Sequence, residues 1–212
     1  MRAPSENLLQ TSGRTDLVLI ADLIEPGSRV LDVGCGDGTL LQMLTNIKDV
    51  DARGVELSQT GVNACVARGL SVIQGDADAD LPAYPDQAFD YVILSQTIQA
   101  TRKPKSVLDE LLRIGRRVIV SFPNFGYWKV RLHLMMSGRM PMTDLLDQPW
   151  YETPNIHLCT IRDFVTMCEG MNVKIENAYA RRGNRIKLRF SKPGMLANLI
   201  ADEAIFILSR PD

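Results

Sequence analysis

The segment Val30-Leu-Asp-Val-Gly-Cys-Gly-Asp-Gly38 carries the residues best suited to chemistry. An apolar run holding one acid, Asp32, leads into Gly34, Gly36 and Gly38, and then into a leucine-rich stretch from Thr39. Glycine supplies tight turns and lets a ligand approach the backbone without a Cβ clash. A helix opening here adds free N–H groups and partial positive charge. In an open α/β sheet, this strand end is also where ligands bind. The spacing narrows the ligand: a dinucleotide fingerprint, GxGxxG, needs a glycine at position 39, and this chain has Thr39 there. Cys35, inside the turn, reads as a small filler, because nothing nearby in sequence marks a depressed thiol pKa.

Two further acids stand at strand ends in order. Glu56 closes the run Ala52–Leu57, 18 residues after Gly38. A carboxylate there can accept both hydroxyls of a ribose, a device that NAD-binding folds share. Asp76 follows the run Leu70–Gln74. The GxGxG spacing behind Leu-Asp-Val resembles motif I of class I S-adenosylmethionine-dependent methyltransferases, which bind a carboxylate and an amine at that turn. The resemblance implies that Asp76 meets the adenine amino group, that the Ala77 N–H meets a ring nitrogen, and that Leu57 packs on the adenine face. The implied set for S-adenosylmethionine or S-adenosylhomocysteine is Asp32, Gly34, Cys35, Gly36, Gly38, Glu56, Leu57, Asp76, Ala77 and Gln96.

Methyl transfer requires alignment of acceptor, methyl and sulfur, and sometimes removal of a proton. The run Phe89–Ser95 leads into Gln96-Thr-Ile-Gln-Ala100, which has no NPPY-like segment, no Pro-Cys pair, no histidine and no carboxylate. Gln96 and Gln99 can orient a ligand but are poor proton acceptors; both also suit a plain loop. The sequence therefore assigns no catalytic residue and supports ligand binding better than catalysis. An active methyltransferase for a small molecule is the alternative, since alignment alone suffices for a reactive acceptor such as a thiolate.

Strand and helix patterns alternate around these positions. Buried strands are expected at Arg29–Val33, Ala52–Leu57, Leu70–Gln74, Phe89–Ser95, Val118–Phe122, Val173–Tyr179 and Ala204–Ser209. Helices are expected at Asp16–Ile24, from Thr39, at Ser58–Arg68 with Ser58 as cap, between Pro104 and Gly115, and from Thr160 with a capping-box partner at Asp163. This alternation predicts an α/β, Rossmann-like fold: a mostly parallel seven-stranded sheet with helices on both faces. Residues 1–13 read as a flexible arm, and 14–212 as one methyltransferase-like domain interrupted by a helical insertion at 123–160.

The 212 residues suit such a domain, which buries roughly 70% of its extended surface and needs no staples. A net charge of -1 disfavours nucleic acid as the main partner. No apolar run approaches the ~20 residues of a membrane span, and the N-terminal segment lacks a signal core. A soluble cytoplasmic protein is expected. The four cysteines form no CxxC, and His133 and His157 lack ligand spacing, so no metal is expected.

The insertion is unusually long for a connection, yet it holds Phe125, Tyr127, Trp128, Trp150 and Tyr151, five of thirteen aromatics, with Met135, Met136, Met140 and Met142. Arg131, Arg139 and His133 interleave with them. These types favour interfaces, so the segment reads as a lid, as a partner surface, or as both. Trp128, Arg139, Trp150, Tyr151 and His157 are the candidate substrate or partner residues. The basic stretch Arg181–Lys192 alternates with Ile186, Leu188 and Phe190, as in a half-exposed strand; it reads as a solvated face, or as a docking site for an acidic surface.

The motifs Arg29–Gly38, Ile93-Leu-Ser-Gln-Thr-Ile-Gln-Ala-Thr101, Val120-Ser-Phe-Pro-Asn-Phe-Gly126, Gly138-Arg-Met-Pro141 and Trp150-Tyr-Glu-Thr-Pro-Asn-Ile-His-Leu-Cys-Thr-Ile161 together resemble the methionine-biosynthesis protein W (MetW) family. The likeness covers roughly Arg14 to Tyr179, with Glu152 where the family more often shows Asp. It implies a class I methyltransferase-like fold, a role in methionine biosynthesis and association with homoserine O-acyltransferase, an acetyl- or succinyltransferase. It carries over no catalytic residue.

Overall fold

The computed structural model describes residues 14–143, 145–183, 185–190 and 194–211, so the expected arm at 1–13 lies outside the described residues. The strands are β1 (Arg29–Val33), β2 (Asp51–Glu56), β3 (Ser71–Gln74), β4 (Phe89–Ser95), β5 (Gly115–Pro123), β6 (Lys174–Arg182), β7 (Arg185–Phe190) and β8 (Glu203–Ser209). The helices are α1 (Thr15–Asp22), α2 (Thr39–Lys48), α3 (Gln59–Ala67), α4 (Pro104–Ile114), α5 (Trp128–Ser137), α6 (Ile161–Gly170) and α7 (Met195–Ile200). The sheet runs in the order β3-β2-β1-β4-β5-β8-β6-β7. The chain divides into two compact units: residues up to 95 with 106–119, and residues 96–105 with 120–212.

In the first unit β3, β2, β1 and β4 pair in parallel. Succession from β1 to β3 moves one way across the sheet, and β4 lies on the other side of β1. Right-handed crossovers then put α2 and α3 on one face and α4 on the other. The strand order reverses beside β1, which opens a crevice at its C-terminal end. The α2 leucines follow helical spacing and bury Leu40, Leu41, Met43 and Leu44. Gly115, expected just past α4, already begins β5; a Cβ there would stand 2.5 Å from Val92 Cγ2. The β3–β4 connection holds only a short 3-10 turn, Leu81–Ala83. Arg113 pins that connection to α4 through the Tyr84 and Leu81 carbonyls and the carboxylates of Asp86 and Glu110.

In the second unit β6 pairs antiparallel with both β8 and β7. Phe122, Phe164 and Phe206 form its aromatic centre, with ring centroids 4.7–5.8 Å apart. Thr160 and Asp163 close the expected capping box at the start of α6. Two corrections arise here. The sheet has eight strands rather than seven, because the alternating stretch after Gly183 (φ +53) folds back as β7 on β6. Among the described residues the insertion is helical only over α5; Gly138 (φ +63) ends that helix, donating to the Leu134 carbonyl at 2.9 Å. Beyond it Pro141, Pro149 and Pro154 remove backbone donors, and the described residues form turns with one isolated bridge, Thr143 to Leu146.

Candidate functional site

The glycine turn is tied to the end of β2 at several points. The Gly34 and Cys35 N–H groups both donate to the Val55 carbonyl, at 2.8 and 3.2 Å. Glu56 accepts from the Gly36 N–H through Oε2 at 2.9 Å and from the Ser58 N–H through Oε1 at 2.8 Å. Each oxygen keeps acceptor capacity for a hydroxyl. Ser58 caps α3 as expected, accepting from the Gly61 N–H at 3.1 Å.

The glycines of the turn serve different ends. Gly34, Gly36 and Gly38 all have positive φ, at 77°, 57° and 78°. A Cβ on Gly38 would stand 2.5 Å from Leu70 Cδ1 and 2.8 Å from Cys65 Sγ, so that position is closed by packing. A Cβ on Gly36 would meet nothing within 4 Å, so space lies open beside its backbone. Beneath the turn Cys35, Leu41 and Cys65 form a buried cluster with Ala52, Leu70 and Val72. Burial drives the Cys35 thiol far above its ordinary value, with Asp32 adding to the effect. The filler reading of Cys35 fits that environment, which opposes thiolate formation.

Asp32 is 2% exposed, and its Oδ1 has no hydrogen-bond partner among the described residues. Burial pushes its carboxyl up to about 7, against the pull of the Arg14 guanidinium and with a further push from Glu56. A buried acceptor left unpaired is costly, and a bound ammonium would satisfy it. Asp32 lines a cleft of ≈ 130 Å³ with Gly34, Gly36, Asp37, Thr39, Arg14 and Ser95. That volume suits an amino-acid head group, and the lining offers both an acid and a guanidinium. Arg14 donates to both Asp16 oxygens, at 3.2 and 2.5 Å, and to Ser95 Oγ at 2.9 Å. Burial raises Asp37, but the Thr39 hydroxyl and N–H and the Arg68 guanidinium outweigh it, leaving the carboxyl below its usual value. The cleft lining contains no histidine.

Asp32, Gly34, Cys35, Gly36, Gly38 and Glu56 thus come together. Leu57 follows Glu56 and is 64% exposed, an apolar surface free for a planar ring. Asp76 lies past the end of β3, in a turn with Ala77, where its Oδ1 accepts from the Asp78 N–H at 2.9 Å. Gln96 belongs to the second unit and has φ +54. Its N–H donates to the Ser121 carbonyl at 2.8 Å, and its Nε2 donates to Glu203 Oε1 at 3.0 Å. Glu203 also pairs with Arg181, and both are buried. Gln99, 1% exposed, holds the insertion: its carbonyl accepts from the Ile156 and His157 N–H groups, and its Nε2 donates to the Pro123 carbonyl. Arg14 and Ser95 were not singled out by sequence. Their only trace is position, Arg14 just before the first apolar helix and Ser95 at the end of β4.

Within the second unit, Arg139 and Trp150 line a cleft of ≈ 870 Å³ together with Gln96, Phe125, Met140 and Met142. Tyr151 stands edge-on to Trp150, with centroids 5.7 Å apart. His157 Nε2 lies 3.4 Å from the Arg102 carbonyl, and Trp128 opens α5. Among the described residues no helix is long and apolar enough to cross a membrane.

A family model described as methionine biosynthesis protein MetW matches residues 14–208. The chain is 37% identical over 203 residues to the bifunctional methionine biosynthesis protein MetXA/MetW of Rhodopirellula baltica, covering 90% of this chain and 32% of that protein. It is 36% identical over 124 residues to the demethylmenaquinone methyltransferase of Renibacterium salmoninarum, covering 55% of this chain and 52% of that one. The chain therefore spans about a third and about half of these curated relatives. Among solved structures, a S-adenosylmethionine-dependent methyltransferase from Thermotoga maritima superposes with a TM-score of 0.66 at 16% identity, covering 96% of this chain and 92% of that one. The cyclase SpnF superposes with a TM-score of 0.63 at 20% identity, covering 95% and 82%. The fold is that of the class I S-adenosylmethionine-dependent methyltransferases, with an eighth strand. With its motifs, its fold and a family match from Arg14 to Leu208, the chain belongs to the MetW family of methionine biosynthesis proteins.

Proposed function

We propose that the glycine turn binds S-adenosylmethionine or S-adenosylhomocysteine, and that the chain acts as a ligand-sensing partner of a homoserine O-acyltransferase. The observation that carries the ligand half is the buried, unpartnered Asp32 oxygen in a cleft beside the open backbone of Gly36. On this reading Asp32 accepts from the ligand ammonium, and Arg14 attracts its carboxylate. Glu56 accepts from the ribose hydroxyls, and Leu57, Asp76 and Ala77 meet the adenine. Gln96, also expected to meet the ligand, lies in the second unit, where it is tethered to Glu203. S-adenosylmethionine, when bound, supplies an electrophilic methyl group on a sulfonium. The stretch Gln96–Ala100 after β4 offers no histidine or carboxylate to remove an acceptor proton, which favours sensing over proton-coupled transfer.

The partner half is supported by the R. baltica relative, which carries the names MetXA and MetW in one protein of about three times the matched length. We read MetXA as the acyltransferase. Trp128, Arg139, Trp150, Tyr151 and His157, in or beside the insertion, are the proposed contacts. Feedback is the purpose that fits, because S-adenosylmethionine derives from the pathway's product. Sensing further requires that the ligand prefer one docked state, since equal affinity shifts no equilibrium. The test is co-elution of the purified chain with the acyltransferase and assay of acyl transfer with and without S-adenosylmethionine. A complex whose activity responds to the ligand is expected; no complex at micromolar concentration would refute the partnership.

A second reading, methyl transfer to a small molecule, is favoured by the similarity to demethylmenaquinone methyltransferase. Incubation of extracts with methyl-labelled S-adenosylmethionine separates the two. Labelled product that disappears with Gly36→Val supports transfer, and its absence supports sensing.

A further inference from the structure

Exposed apolar surface concentrates in one stretch of the second unit. Of the eighteen large apolar side chains exposed among the described residues, eleven lie between Trp128 and Leu158. Scattered exposed residues need no explanation, but a contiguous cluster marks an interaction surface. Helix α5 is the extreme case. Of its ten residues only Val130 is buried. An isolated helix of ten residues is marginal in water, and helices normally gain stability by covering an apolar face. Here the covering surface is missing from nine of ten positions.

The pattern around the helix axis is ordered. At 3.6 residues per turn, Trp128, Leu132, Met135 and Met136 share one stripe. Val130 projects from the opposite side. The apolar stripe therefore points directly away from the anchored face. Lys129 and His133 flank it on one side and Arg131 on the other. From Asn124 to Thr143 the chain carries Lys129, Arg131, His133 and Arg139 and not one Asp or Glu. Lys129 Nζ stands 5.9 Å from the Trp128 ring centroid, so a cation and the first apolar anchor of the stripe lie together. The Arg131 Nε donates to the Gly126 carbonyl at 2.6 Å, which steadies the start of the helix.

We propose that α5 is a docking helix whose Trp128–Leu132–Met135–Met136 stripe enters an apolar groove of a protein partner, and that the groove is rimmed by Asp and Glu side chains. The anchors follow the i, i+4, i+7 spacing of helix-in-groove recognition. The flanking Lys129 and Arg131 meet the acidic rim, which sets orientation and speeds encounter. This proposal rests on the acyltransferase partnership above and specifies its contact surface. A partner protein is favoured over an anionic membrane by the net charge of -1 of the whole chain, which offers lipid little general attraction.

The test measures affinity of the full chain for the acyltransferase by sedimentation or calorimetry at two salt concentrations. Leu132→Asp and Met135→Asp should each weaken the complex by about tenfold or more, because each buries a charge in the groove. Leu134→Asp, exposed to 48% against 43% for Leu132 but off the stripe, should change affinity by about threefold or less. Lys129→Glu should weaken binding and flatten its salt dependence. Melting temperatures of all variants should match that of the unaltered chain, since these side chains already face solvent. A complex formed by the unaltered chain and left intact by both stripe substitutions overturns the docking helix while the partnership stands. Absence of any complex overturns both. Self-association abolished by Met135→Asp would make a second copy of this chain the occupant. Retention on vesicles of equal phosphatidylglycerol and phosphatidylcholine would make it a lipid surface. Either result contradicts the proposal.

Discussion

Around the glycine turn Leu31, Leu41 and Cys65 are at most 1% exposed, whereas Met135, Met136 and Trp150 in the insertion are 75%, 77% and 71% exposed. The two regions leave opposite things unsatisfied. The turn is closed by its own packing and leaves one buried polar oxygen, on Asp32, without a partner among the described residues. The insertion satisfies its backbone through turns and through Gln99, and leaves apolar side chains in water. The first arrangement asks for a small polar ligand and the second for a macromolecular surface. Substitutions should therefore cost stability at the turn and association at α5.

The largest effect is expected at Gly38. A valine there adds a Cβ 2.5 Å from Leu70 at a φ of +78°. The clash and the left-handed backbone together should cost about 3–5 kcal/mol, seen as a lower denaturation midpoint. Asp32→Asn should separate ligand from fold more sharply. It removes the anion that holds the ammonium, and S-adenosylmethionine affinity should fall about a hundredfold, roughly 2.7 kcal/mol. Its stability effect has the opposite sign. The Asp32 carboxyl titrates near 7 in the folded chain against 3.8 ordinarily, so between these values the folded state holds a proton that the unfolded chain has lost. Stability falls as pH rises through that window. The asparagine variant avoids this loss and should melt higher than the parent at pH 8, by about 2–4 °C per kcal/mol relieved, with no difference below pH 4.

Gly36→Ala probes the same turn with the clash removed. Open space beside it leaves only the left-handed backbone, at about 1–2 kcal/mol. Ligand binding should still fail, because the methyl occupies the approach; retained binding would break the distinction between the glycines. Thr160→Ala, where the insertion joins α6, removes the capping box and should cost about 1 kcal/mol in thermal unfolding. Met135→Asp should move stability by less than about 0.5 kcal/mol, the smallest effect and the clearest contrast with Gly38.

Much of this contrast is legible in residue order. The strand ends bearing Asp32, Glu56 and Asp76, the Ser58 cap and the Thr160–Asp163 box all depend on neighbours within a few positions. Such local signals survive without coordinates. What escaped depends on distance along the chain. Arg14 reaches Ser95 across 81 positions, and no periodicity announces such a contact. The role of Gln99 was missed for a related reason: a buried glutamine holding the Ile156 and His157 backbone has the same sequence appearance as one free to meet a ligand. The eighth strand was visible as alternation at Ile186, Leu188 and Phe190, but the hairpin that pairs it lies beyond the helix and strand periods. In the insertion, residue types suggested a lid, a partner surface or both, and which of those side chains face solvent follows only from the helical register of α5.

Calorimetric titration of the chain with S-adenosylmethionine at pH 6 and pH 8, beside Asp32→Asn, tests the role of the Asp32 cleft. One site per chain is expected, with affinity about tenfold higher at pH 8 as Asp32 ionises and heat that depends on buffer ionisation because a proton is released near pH 7. The asparagine variant should bind about a hundredfold more weakly. No saturable heat in the parent chain at either pH, or equal binding by parent and variant, would contradict that role.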